Sequence, residues 1–227
     1  MIIVHHLNNS RSQRILWLLE ELGLPYEVKR YQRDAKTMLA PPELRAVHPL
    51  GKSPVISDGE VTLAESGAII EYLAGKYGAR LSPSGLVPAE GTPERLRYTY
   101  WMHFAEGTMM PPLLLKLIFD RVESGPMPFF VKPIARSIAQ RVKGLMVTPN
   151  LERLLTFMEA ELGAREWFAG PAFTAADIQM SFPLEAAASR GGLDQKRAKT
   201  WGWLQKIHAR PAYQRALEKG GKYELLK

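Results

Sequence analysis

The sequence predicts an α/β unit of βαβ-ββα order over residues 1–80, followed by an all-helical unit over residues 94–227. Three observations predict it. Strand-like and helix-period runs alternate as far as Tyr77. A segment rich in proline, glycine and serine follows, and residues 81–93 read as a linker. Beyond it no strand-like run exceeds a few residues, whereas helix-period runs recur.

Ile2–Leu7 opens with β-branched residues and is short and apolar, the pattern of a buried strand. Asn8-Asn9-Ser10 carries capping chemistry, and Ile15, Leu18, Leu19 and Leu22 then mark one face of a helix. Gly23 ends that helix and Pro25 prevents its continuation. Tyr26–Tyr31 alternates as a second strand, and the crossover helix makes the two strands parallel. A short helical stretch is expected at 41–47. Val55-Ile56-Ser57 and Val61-Thr62-Leu63 then flank an Asp58-Gly59 turn and predict a hairpin. A helix at 65–77 closes the unit, with Ile69, Tyr72, Leu73 and Lys76 as its repeat.

Thr92-Pro93, a cap followed by a first-turn proline, opens the second unit. Its first helix is expected to kink or break near Gly107 and Pro111-Pro112. Further helices are predicted at 133–147, 150–163, 174–189 and 196–209. Thr174 and Asp177 form a capping box, and Phe173 with Ile178 a hydrophobic staple, so their role is folding. Asp177→Ala is expected to cost about 0.5–2 kcal/mol as the loss of a cap.

The chain has no cysteine, which excludes disulfides, thiolate metal sites and a protein thiol nucleophile. Any sulfur chemistry has to come from a bound small molecule. His5-His6 lies in a strand, where neighbours point to opposite faces, so the pair does not chelate one ion and no metal is expected. No apolar run reaches a membrane span, since Pro111, Pro112 and Lys116 interrupt the best candidate. Met1 leads into Ile2-Ile3-Val4 without a basic leader, and a cytoplasmic protein is expected. The net charge of +7 resides in the last 38 residues, where 10 Lys and Arg face 3 Asp and Glu. A polyanion site with Trp201, Trp203 and Tyr213 stacking on bases is one reading. The pattern favours a solvated helical face with those aromatics packed on the core, so no nucleic-acid partner is expected.

Three places carry candidate chemistry. Ser10 sits where a strand gives way to a helix, and the helix dipole favours an anion there. Its hydroxyl suits an N-cap or a hydrogen-bond donor to a thiolate. Ser53-Pro54 opens a strand, and a cis bond there would present the Ser53 backbone to an extended peptide. At Glu65-Ser66, Ser66 and the first helical N–H groups suit a carboxylate, while Glu65 suits an ammonium; ordinary capping explains the same residues. Tyr100, Trp101, His103, Phe104, Glu106, Met109, Met110 and Leu113 are candidates for an apolar pocket or, at helical spacing, for core packing.

Taken together, these segments resemble the soluble (cytosolic) glutathione transferases, over essentially the whole chain. Ser10-Arg11-Ser12-Gln13-Arg14 and Leu18-Leu19-Glu20-Glu21 are similar to the family's first helix. His48-Pro49-Leu50-Gly51-Lys52-Ser53-Pro54-Val55 resembles its Asn-Pro-x-Gly-x-x-Pro loop, with His48 where Asn is usual, and Glu65-Ser66-x-x-Ile69 resembles its glutamyl-binding helix start. The resemblance implies a thioredoxin-like N-terminal domain, an all-α C-terminal domain, glutathione as co-substrate and a homodimer. It implies that Ser10 holds the thiolate, with Ser12 as an alternative or partner. Ser53 would pair its backbone with the cysteinyl portion across cis-Pro54, Glu65 and Ser66 would hold the γ-glutamyl end, and Lys52 would lie near the glycyl carboxylate. Arg14 would hold the domain together. The lack of cysteine and of any tyrosine before Tyr26 favours the serine type, and the stretch from His103 to Pro112 resembles a bacterial and fungal branch. The implied reaction is thiolate attack on small apolar electrophiles, with hydroperoxide reduction as a second activity. A non-catalytic binding or assembly module is the alternative.

Overall fold

Strands β1 (Ile2–Leu7) and β2 (Tyr26–Tyr31) pair in parallel, with Ile2 opposite Tyr26 and Leu7 opposite Tyr31. The computed structural model describes residues 1–78 and 85–225, so the expected linker at 81–93 lies in part outside the described residues. The connection between the two strands is α1 (Ser12–Glu21). A short α2 (Pro42–Val47) precedes β3 (Val55–Asp58) and β4 (Val61–Ala64), and α3 (Ser66–Tyr77) ends the unit. The sheet order is β2-β1-β3-β4, with β3 antiparallel to both neighbours. This is the expected βαβ-ββα arrangement.

Two features of α1 differ from the sequence reading. It starts at Ser12 rather than at Ser10, because Asn9 takes φ +50 and turns the chain, leaving Ser10 in the loop and Arg11 at the cap position. It is also buried on every side, from Ser12 to Glu20, and not on one face alone. The cause lies in the second half of the chain: α1 packs on β1 and α3 and is also covered by two later helices.

Those helices belong to the all-helical half. α4 (Pro93–Phe104) continues through a π turn (Ala105–Met109) into α5 (Met110–Ser124). The kink or break expected near Gly107 and Pro111-Pro112 takes the form of this widened turn. Pro111 and Pro112 have no N–H to give to the turn before them, and a wider turn accommodates that loss without ending the helix. The helices predicted at 133–147 and 150–163 join in the same way, as α6 (Lys132–Val142), a π turn (Lys143–Val147) and α7 (Thr148–Ala164), with Pro149 at the junction. α8 (Ala175–Ala186) carries Pro183 internally and ends in a third π turn (Ala187–Gly191). α9 (Ala198–His208) and α10 (Pro211–Gly220) are the last helices among the described residues, and α10 falls where no helix was predicted.

Along α10 the basic side chains lie on an exposed face, as expected, and three of them also pair with acids of α1. Arg210 pairs with Glu21 at 2.6 Å, and Arg215 and Lys219 both pair with Glu20, at 2.7 and 2.6 Å. Trp203 and Tyr213 are buried in the core, as their spacing suggested. Trp17 of α1 sits between the rings of Phe173 and Tyr213, at centroid distances of 5.6 and 5.2 Å. One hydrophobic cluster thus runs from Val4 and Ile56 through Trp17 to Tyr213, across both halves. The capping box forms: the Thr174 N–H and hydroxyl donate to Asp177, whose other oxygen accepts from the Phe168 N–H and the Trp203 indole. Among the described residues no helix is long and apolar enough to cross a membrane.

Candidate active site

The loop after β1 brings Ser10 against the start of β3. Ser10 Oγ donates to Ser53 Oγ at 3.2 Å, accepts the Ser12 N–H at 3.2 Å, and lies 2.6 Å from Ser12 Oγ. Ser53 Oγ in turn donates to the His5 carbonyl at 3.0 Å and accepts the Leu7 N–H at 3.2 Å. Ser12 Oγ is 2.8 Å from His6 Nδ1. β1, the α1 entry and the β3 entry are therefore held in one hydrogen-bonded net centred on the two serines. Ser12 is fully buried behind Ser10, which is 4% exposed. The Ser53–Pro54 peptide bond is cis. Lys52 is exposed beside it, and Gly51, at φ +55, keeps the loop clear of Arg45, whose Cγ would lie 2.6 Å from a Cβ. His5 and His6 face apart as expected: His5 Nδ1 meets the Tyr31 hydroxyl at 2.9 Å, on the other side from Ser12.

The second group forms at the N-terminus of α3. Glu65 holds φ +70 and ψ 115, a conformation that costs about 1–3 kcal/mol for a residue with a Cβ and is kept where surrounding structure enforces it. It leaves the Glu65 carboxylate exposed and Ser66 buried at the first turn. A cleft of about 460 Å³ opens here, lined by Glu65, Ser66, Gly67 and Glu71 on one side and by Met102, His103, Glu106 and Gln179 on the other. Ser10, Lys52, Ser53 and Pro54 do not line this cleft, so the predicted site residues fall into two clusters. Glu106 joins them: it lines the cleft and accepts from Arg11 Nε at 2.8 Å and from Arg14, the residues on either side of Ser12 and Gln13. Burial pushes the Glu106 carboxyl up, but Arg14 and Arg11 outweigh it and hold it below the usual carboxylate value.

Most of the candidate apolar pocket is core. Trp101, Phe104, Met109 and Leu113 are buried, and the Trp101 ring packs against Phe104, Phe157 and Phe168. Of that set His103, near the end of α4, and Glu106, three residues on, face the cleft. Sequence reasoning missed Gln179, which is 1% exposed and whose Oε1 has no partner among the described residues. It also missed the part His6 plays beside Ser12. No local pattern marks either one. Among the described residues no group of three His, Cys, Asp or Glu is placed to hold a metal ion.

Comparison with known proteins bears on the same features. The family model described as Glutathione S-transferase, N-terminal domain, matches residues 1–75. Glutathione S-transferase 3 of Schizosaccharomyces pombe is 41% identical, over 96% of this chain and 88% of its own. Glutathione S-transferase 1 of Saccharomyces cerevisiae is 33% identical, over 96% and 95%. The crystal structure of a glutathione S-transferase from Actinobacillus pleuropneumoniae superposes with a TM-score of 0.77 at 34% identity, covering 99% of this chain and 95% of that one. By sequence and by fold, the chain belongs to the glutathione S-transferase family.

Proposed function

We propose that the chain is a serine-type glutathione transferase in which Ser10 activates the glutathione thiol for attack on small apolar electrophiles, with hydroperoxides as second acceptors. The observation that carries this reading is the placement of Ser10 Oγ, braced by Ser12 and Ser53 at the entry to α1. An ordinary thiol has a pKa near ~8.5 and is mostly protonated at neutral pH. A hydroxyl donor to the charged sulfur contributes about 1.5–3 kcal/mol, and the N-terminus of α1 adds to it. Together they bring the bound thiol close to or below neutrality.

In this reading residues 1–80 bind glutathione, 81–93 connect, and 94–227 supply the acceptor side. The Ser53 backbone pairs with the cysteinyl portion beside Pro54, and Lys52 neutralises the glycyl carboxylate. Ser66 and the first N–H groups of α3 take the γ-glutamyl carboxylate, and Glu65 takes its ammonium. Gln179 adds an acceptor for that ammonium, since its Oε1 is buried at the same cleft and unpaired among the described residues. The protein works in the cytoplasm as a homodimer. Leu114, Ile118, Ile134 and Ile138 form an exposed apolar surface on α5 and α6 that a second copy would cover.

Turnover of an aryl halide by wild type and Ser10→Ala tests the central step. The variant is expected to remain bound to a glutathione resin and to lose roughly 10- to 100-fold in kcat/KM. Full activity in the variant would remove Ser10 from the mechanism.

A further inference from the structure

Arg11, the residue after Ser10, carries a charge that the acids around it only half answer. Its Nε donates to Glu106 Oε1 at 2.8 Å, and Arg14 donates to the same oxygen. Two guanidinium groups thus share one carboxylate, and the trio keeps one positive charge. The Arg14 side chain is 1% exposed, whereas that of Arg11 is 35% exposed. The surplus charge therefore reaches the site through Arg11. Among the described residues only its Nε has a hydrogen-bond partner, so its two terminal amines are open to a ligand.

That pair of amines is held in place. The Arg11 guanidinium lies over the Phe182 ring, 4.9 Å from its centroid, and that of Arg14 lies 5.6 Å away. A planar cation resting on an aromatic face keeps its edge available for hydrogen bonds. Phe182 is one turn along α8 from Gln179, which lines the cleft, so Arg11 sits beside the cleft against the helical half. This is the acceptor's side of Ser10, since the contacts assigned to glutathione at Ser53, Pro54 and Ser66 come from the first half. Arg190, in the π turn that continues α8, adds a second cation whose Nε is buried without a partner among the described residues. Burial pushes the Arg190 guanidinium down, and the charges of Arg11 and Arg121 add to the effect.

We propose that Arg11 binds an acid group of the acceptor, so that the preferred electrophiles are apolar bodies carrying a carboxylate. The proposal rests on the reading that the glutathione thiol lies at Ser10, and it narrows the acceptor class. A carboxylate fits because its two oxygens match the two terminal amines of a guanidinium, one bond to each. Glu106 is the brace: by occupying Nε it fixes the plane and leaves the far edge for the ligand. With an aryl chloride of this kind the thiolate sulfur bonds to the ring carbon, and chloride leaves with the electron pair of the C–Cl bond. Arg11 takes no part in that exchange; it holds the acid and, through it, the ring.

The test compares a chlorodinitrobenzoate with its methyl ester, two acceptors that differ in charge and share a leaving group. Arg11→Met keeps a stem over Phe182 and removes the cation. It is expected to lower the acid-to-ester ratio of kcat/KM about tenfold or more, while ester turnover stays within about threefold of wild type. Arg11→Lys, which keeps the charge without the paired amines, should fall between. Only the change in ratio from wild type counts, so the intrinsic reactivities of the two acceptors cancel. An unchanged ratio overturns the proposal. So does an equal loss with both acceptors, which assigns the charge to the thiolate or to the fold. Should Arg11→Met fail to fold, Arg11→Lys decides by the same ratio. Ser10→Ala is expected to slow both acceptors alike. If it slows neither, Ser10 leaves the mechanism, and the ratio in Arg11→Met still decides the role of Arg11.

Discussion

Arg14 donates to the main-chain carbonyl of Gln179, which Pro183, four residues on, cannot serve because it has no N–H. Its other amine donates to Glu106, so one guanidinium, 2% exposed, ties α1 to two helices of the second half. Arg14→Ala is expected to lose about 1–3 kcal/mol, the cost of leaving the buried Gln179 carbonyl without its donor, since Glu106 keeps Arg11. Arg14→Lys should also lose stability, because a single ammonium cannot span both acceptors. Urea unfolding measures both, and a loss below ~1 kcal/mol in the alanine variant would contradict the tie.

Asp177 holds more than a helix cap. Its removal leaves the Phe168 and Thr174 N–H groups and the Trp203 indole buried without an acceptor. Asp177→Ala should therefore cost about 3 kcal/mol or more, beyond the cap-only range. Burial also raises its carboxyl to about 6, against ~3.9 for an aspartate in an unfolded chain. Between these values the folded state binds the proton more tightly, so this group's contribution to stability falls as pH rises through that window. Compared with Asp177→Asn, which cannot titrate, the wild type should lose stability on going from about pH 4 to 6. Parallel denaturation curves at both pH values give the difference.

Glu20 follows the opposite sign. Burial alone would raise it, but Lys219, Arg215 and the Tyr26 hydroxyl more than offset that and hold it below the usual glutamate value. Its contribution to stability is present above ~4.3, the unperturbed glutamate value, and is lost as pH falls below it. The stability gap between wild type and Glu20→Gln should be open at pH 7 and shrink at pH 3. A constant gap would mean that the contacts of α10 with α1 owe nothing to this charge.

Gln179→Ala leaves the carbonyl that Arg14 uses intact and removes only the side chain. It is expected to raise KM for glutathione about tenfold with kcat unchanged, the pattern of a contact made equally in ground and transition states. Steady-state kinetics with varied glutathione checks it; an unchanged KM would remove Gln179 from the ligand's contacts.

The βαβ-ββα unit was legible in the sequence because each element there is written locally, in β-branched runs, turn residues and caps. The Thr174–Asp177 cap was legible for the same reason. α10 was not. Its buried face is Ala212, Tyr213, Ala216 and Gly220, mostly small residues that carry little hydrophobic signal. Its partners Glu20 and Glu21 lie near the other end of the chain. The π turns were missed because proline usually marks a break, whereas here the helix widens and continues. At the site, Ser10, Ser53, Glu65 and Ser66 stood out through their spacing. Gln179 takes its meaning from the start of α3, which folds against it from the other half, and His6 from Ser12, a pairing that no local pattern announces.

The cover that α10 lays over α1 also fixes an order of events at the ribosome. Arg210 and Glu21, which meet in the finished protein, are 189 positions apart. At synthesis rates of about 5–20 residues per second, α1 waits roughly ten to forty seconds for the helix that shields it. Throughout that interval Leu16 and Trp17 lack the cover of Tyr213 and Gly220. The nascent first half therefore keeps that apolar face uncovered until α10 has been made, and a chain cut short before Pro211 leaves its earliest-made helix without a partner.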